Sequence, residues 1–131
     1  MMRRLVFDNI YMVAADTNNK NHKEWAGAMQ SRSGIFIVIN ERDSALGYSR
    51  RKPGDEQLAR LGHYLRGLNA VNASYLNVTS TSRVGDEHSY FKGRPVKKNK
   101  KLKEIFAALF EGRRPEAKMK YRPGIGAYEV R

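Results

Sequence analysis

The sequence predicts a small single α+β domain, in which a mainly antiparallel sheet of about four strands packs against two or three helices, one of them basic and C-terminal. Three observations carry that reading. Residues 35–39, Ile-Phe-Ile-Val-Ile, form an unbroken apolar run. Two stretches, 58–68 and 102–110, repeat apolar residues at intervals of three and four, as one face of a helix does. Clusters such as Asn40-Glu41-Arg42-Asp43 supply turn chemistry between such segments.

Residues 5–14 are rich in β-branched and aromatic side chains and place Leu5, Phe7, Tyr11 and Val13 on one alternating face, which predicts a strand. Residues 16–23 are polar and read as a loop, and 23–30 as a short helix resting on Trp25, Ala26, Ala28 and Met29. Residues 34–40 lack alternation, so they read as a central strand covered on both faces. The turn at 40–43 then returns residues 44–49 as the second arm of a hairpin. A helix follows with the stripe Leu58, Leu61, Leu65 and Leu68, begun by Asp55 and Glu56 and stopped by Gly67. Residues 75–80 read as a strand, and 82–98 as a long polar connection with a short strand at Tyr90-Phe91. Leu102, Ile105, Phe106, Leu109 and Phe110 make the basic helix, with Asn99 to cap it and Gly112 to stop it. Residues 128–131 add an edge strand.

At 131 residues the chain fits one domain, 1–131, with a core large enough to need no metal or disulfide staple. It has no cysteine, which excludes a disulfide framework and cysteine-ligated zinc or iron–sulfur sites. No apolar stretch approaches the roughly 18 residues of a membrane span. The expected setting is intracellular, cytoplasmic or nucleoid-associated. No cofactor and no metal site are expected. Asp86-Glu87-His88 puts three ligand types in a row, but adjacent residues rarely converge on one ion, so the triplet reads as a polar loop, and His22 with Glu24 likewise.

Charge is the strongest functional signal. The chain carries +12, and residues 91–131 hold thirteen Lys and Arg against four acids, a net +9. A one-sided excess of this kind concentrates polyanions and speeds their association, so the expected partner is a nucleic acid, DNA or RNA. Lys97, Lys98, Lys100, Lys101 and Lys103 crowd the positive end of the basic helix, where cations are disfavoured unless an anion binds among them. Tyr90 and Phe91, followed by Lys92 and Arg94, set two stacking surfaces for single-stranded bases beside a charge track. Arg50, Arg51 and Lys52, with Arg60, form a second basic surface. The leading expectation is thus a non-catalytic protein that binds nucleic acid mainly through phosphates.

Ser33-Gly34-Ile35-Phe36-Ile37-Val38-Ile39-Asn40, then Ala45-Leu46-Gly47-Tyr48-Ser49, then Arg60-Leu61 with Tyr64-Leu65-Arg66, resembles a degenerate GIY-YIG nuclease layout. The resemblance covers about a third of the chain. It implies two strands bearing tyrosines, a helix bearing a catalytic arginine, and a later helix bearing a metal-binding glutamate. Phe36 and Ala45 stand where the two tyrosines belong, and a phenylalanine has no hydroxyl to orient a phosphate. The resulting alternative is a nuclease using Arg60, His63, Tyr64 and Glu104. A second alternative is a structural protein of a nucleoprotein particle.

Overall fold

The computed structural model describes residues 5–50 and 59–130. Five strands form one sheet in the order β1-β2-β3-β5-β4, where β1 is Asn9–Val13, β2 Gly34–Ile39, β3 Ala73–Asn77, β4 Met119–Arg122 and β5 Ala127–Val130. The first three run parallel, with Ile10 opposite Ile35 and Ile37 opposite Tyr75. β5 joins β3 in parallel, and β4 closes the far edge as its antiparallel hairpin partner.

The sheet is therefore mostly parallel, where the sequence reading expected antiparallel pairing. The cause lies at residues 40–44. The Asp43 carboxylate accepts from the backbone N–H of Leu46 at 3.0 Å and so caps helix α2, Ser44–Arg50, where a hairpin arm was expected. β1 and β2 are each followed by helical structure that carries the chain back to the starting end of the next strand, and β4 does the same before β5, which is what parallel pairing requires. The unbroken run in β2 is the sequence trace of that arrangement.

Both faces of β2 are covered. Phe36 and Val38 pack with Leu76, Tyr90 and the Leu102, Ile105, Phe106 and Leu109 face of helix α4, Lys100–Phe110. Ile37 and Ile39 pack on the other side with Tyr75, Leu61 and Ala26 of helix α1, His22–Ala26. Helix α4 begins where its spacing places it. Asn99 accepts from Leu102 N at 3.1 Å, and Gly112, at φ 76, ends it with Arg113 N donating to Ala108 O and Gly112 N to Leu109 O. A short helix, α3, Arg94–Lys98, precedes it within the expected polar connection, and Tyr90-Phe91, expected as a short strand, form a turn.

The expected helix with the stripe Leu58, Leu61, Leu65 and Leu68 does not form over residues 59–68, and its start at Gly54 or Asp55, with Leu58, lies outside the described residues. Arg60 is extended, Leu61–His63 make a single 3-10 turn and Tyr64 is extended again. The tight approach of this turn explains the departure: Gly62 N donates to Ala15 O and Gly62 O accepts from Asn40 N. A Cβ on Gly62 would lie 2.5 Å from Ala15 N. Backbone bonds to neighbouring strand ends have replaced helical ones. Among the described residues no helix is long and apolar enough to cross a membrane.

Candidate active site

At the carboxyl end of a parallel sheet the loops after successive strands lie side by side, and ligands of open α/β sheets bind there. In this chain those loops are joined by buried polar groups. Asn40, fully buried at the end of β2, donates from Nδ2 to Gly85 O at 3.0 Å and Glu87 O at 3.2 Å, while its Oδ1 accepts from Arg42 N. Ser44 donates from both its backbone N–H and its hydroxyl to Asp86 O. Four bonds thus hold residues 85–87 over the turn that ends in Asp43.

The consequence is a pair that the sequence keeps 45 positions apart: His88 Nδ1 lies 2.7 Å from Asp43 Oδ2. The carboxylate is fully buried and the imidazole is 43 % exposed. Asp43 divides its oxygens, Oδ1 to the Leu46 amide and Oδ2 to His88. Facing a carboxylate, Nδ1 donates inward, and among the described residues Nε2 makes no hydrogen bond. A buried carboxylate here holds a partly exposed imidazole in place, an arrangement of the kind that hydrolytic triads also use.

Tyr90 forms the floor behind the pair. Its phenol is fully buried, accepts a hydrogen bond from Ala14 N at the end of β1, and is held well above the ordinary tyrosine range, first by burial and further by the negative charge of Asp43. Ends of β1 and β2 and the loop after β3 therefore converge on one place.

The residues expected to stack or to cleave are distributed differently. Tyr90 packs against Phe106 and Phe91 and offers no face to a base. Phe91 is half-buried on the same cluster, with Lys92 Nζ 5.9 Å from its ring centre. Arg60 is ion-paired with Asp16 at 3.1 Å and donates to Asn18. His63 sits beside Gly47 of α2, and Tyr64 follows it in extended backbone. Glu104 projects from α4, on the opposite side of the sheet from the Leu61 turn. Since residues 44–50 are a helix and Arg60 is not on one, the GIY-YIG layout and its set Arg60, His63, Tyr64 and Glu104 are not assembled.

Lys92, Arg94, Lys97, Lys98, Lys100, Lys101 and Lys103 are all exposed along α3 and the start of α4. A cleft of about 290 Å³ opens there, lined by Ser80, Thr81, Ser82, Asn99, Lys101 and Glu129 among others. Arg50 ends α2, and Arg51 and Lys52 lie outside the described residues. His22 is buried in a closed network, Nδ1 to Asn19 O at 2.7 Å and Nε2 to the Tyr75 hydroxyl at 2.5 Å, which accounts for it without a ligand. No group of three or more potential metal ligands occurs among the described residues.

The Asp43–His88 pair is hidden in the sequence because His88 stands directly beside Asp86 and Glu87, while its partner lies 45 positions away. The available signal was a carboxylate in the turn after a fully apolar strand, four residues beyond its end, together with a histidine in the loop after the next strand. No protein-family model matches the chain, and neither a curated protein nor a solved structure matches it.

Proposed function

We propose that the chain carries the base half of a hydrolytic acyl-transfer site, with His88 as general base and Asp43 as the group that orients it. The observation that carries this reading is the 2.7 Å contact between a fully buried carboxylate and a half-exposed imidazole at the carboxyl edge of a parallel sheet. In that geometry Nε2 takes the proton of an attacking hydroxyl or water, Asp43 stabilises the imidazolium, and the proton is returned to the leaving group. Carboxylate before histidine, each in a loop after a parallel strand, is also the chain order of the α/β-hydrolase triad. The substrate class is an ester or amide, and the attacking oxygen has to be brought against Nε2.

An activated ester tests this directly. The chain should hydrolyse p-nitrophenyl acetate above the buffer rate. His88→Ala should remove that excess, and Asp43→Asn should lower it by roughly a hundredfold, within the range general-base catalysis supplies. A folded His88→Ala protein as fast as the parent would overturn the assignment.

A second reading rests on a different surface. The exposed lysines at the α3–α4 junction, and the cleft beside them, support binding of a polyanion such as DNA or RNA through its phosphates. Its test is salt: log affinity for a mixed-sequence oligonucleotide should fall against log salt by about 0.7 to 0.9 per phosphate neutralised. A flat dependence would remove this reading and leave the first untouched.

A further inference from the structure

The two edges of the sheet are built differently. At the β4 edge Lys120, Tyr121 and Arg122 are exposed, and cations on an edge strand discourage further pairing. At the other edge β1 reads Asn-Ile-Tyr-Met-Val, with no charge and no proline, and among the described residues it pairs with β2 alone. Its apolar character continues outward. Tyr11 is 41 % exposed and lies against Phe110 of α4, ring centres 5.3 Å apart, and Phe110 itself is 51 % exposed. Phe7 and Val6, just ahead of the strand, are more exposed still. An uncharged, apolar strand of this kind belongs inside a parallel sheet, not at its border.

We propose that the β1 edge is an interaction surface that takes up one more β-strand, supplied by an acidic polypeptide. The backbone of β1, which among the described residues is paired on one side only, sets the form of the occupant, since only an extended segment can continue a ladder. Tyr11 and Phe110 set its side chains, which must be apolar at the positions facing them. Charge sets its sign. The chain carries +12, and α4, which contributes Phe110, lies in the segment with +9, so a second copy is repelled and an acidic partner attracted. The inference does not depend on the hydrolytic reading.

The probe is a labelled peptide of alternating valine and threonine flanked by aspartates, titrated into the whole chain by fluorescence anisotropy, with hydrogen exchange followed at the β1 amides. Binding should protect those amides. Replacing the aspartates by lysines should weaken it by about tenfold at low salt, with the gap closing as salt rises. Tyr11→Ser, at an exposed position, should leave the fold intact and weaken binding by about tenfold without altering the charge. Failure of the acidic peptide to bind the folded parent, or equal binding by Tyr11→Ser, would overturn the proposal. A dimer in sedimentation that Tyr11→Ser dissociates would overturn it too, by making a second copy the occupant.

Discussion

The backbone amide of Ala14 donates to the phenol oxygen of Tyr90 across 3.3 Å, joining the end of β1 to a residue 76 positions later. Ala14 is at φ 54, in the left-handed region, so the strand has already turned out of register and its amide has no ladder partner. Tyr90→Phe removes the acceptor and keeps the ring. The buried amide is left unpaired, and the protein should lose about 1 to 3 kcal/mol in urea unfolding.

Tyr75 and Tyr90 both have phenol pKa values raised above 10.0, in each case chiefly by burial. The phenols therefore favour folding wherever both the folded and unfolded chains hold them protonated. That stability is fully present below pH 10 and is lost as pH rises through the folded values. Urea midpoints should hold between pH 8 and 10 and then fall, and phenolate absorbance should show these two tyrosines ionising last.

Gly62→Ala puts a methyl group 2.5 Å from Ala15 N and 2.9 Å from Ala14 C, both backbone atoms that cannot yield cheaply. The turn must back away, stretching its bonds to Ala15 and Asn40. The expected cost is about 1 to 3 kcal/mol. Ester turnover should fall further than stability alone explains, since Asn40 also anchors the loop bearing His88.

Lys98→Gln combined with Lys100→Gln removes cations beside the positive end of α4. Thermal melting should not fall, because those charges oppose the helix dipole. If the lysines neutralise phosphates, oligonucleotide affinity should drop equally across sequences, and the salt slope should shrink by about 0.7 to 0.9 for each phosphate left without its lysine. Earlier melting with unchanged binding would make them structural.

What was legible in the sequence was local. The run in β2 and the stripe of α4 follow from periodicity, and Asn99 and Gly112 mark the ends of that helix because capping needs only neighbouring residues. What was not legible depended on partners far along the chain. Residues 40–43 carry turn chemistry that serves a hairpin as well as a helix cap, and only the bond from Leu46 N decides between them. Tyr90 stands next to lysines in sequence, yet α4 folds Phe106 over it. The pairing of His88 with Asp43 exists only because Asn40 and Ser44 tie two loops together, and no spacing rule announces it.

Because Asp43 gives one oxygen to Leu46 and the other to His88, the imidazole is mechanically linked to the first turn of α2. That first turn is a helix terminus, and helix termini open more often than the sheet beneath them. Each opening releases one carboxylate oxygen and lets the group swivel, taking with it the restraint on His88. Deuterium uptake at the Leu46 amide would then count the same excursions that scramble the ring, so a single backbone proton becomes a clock for how long the base stays aimed.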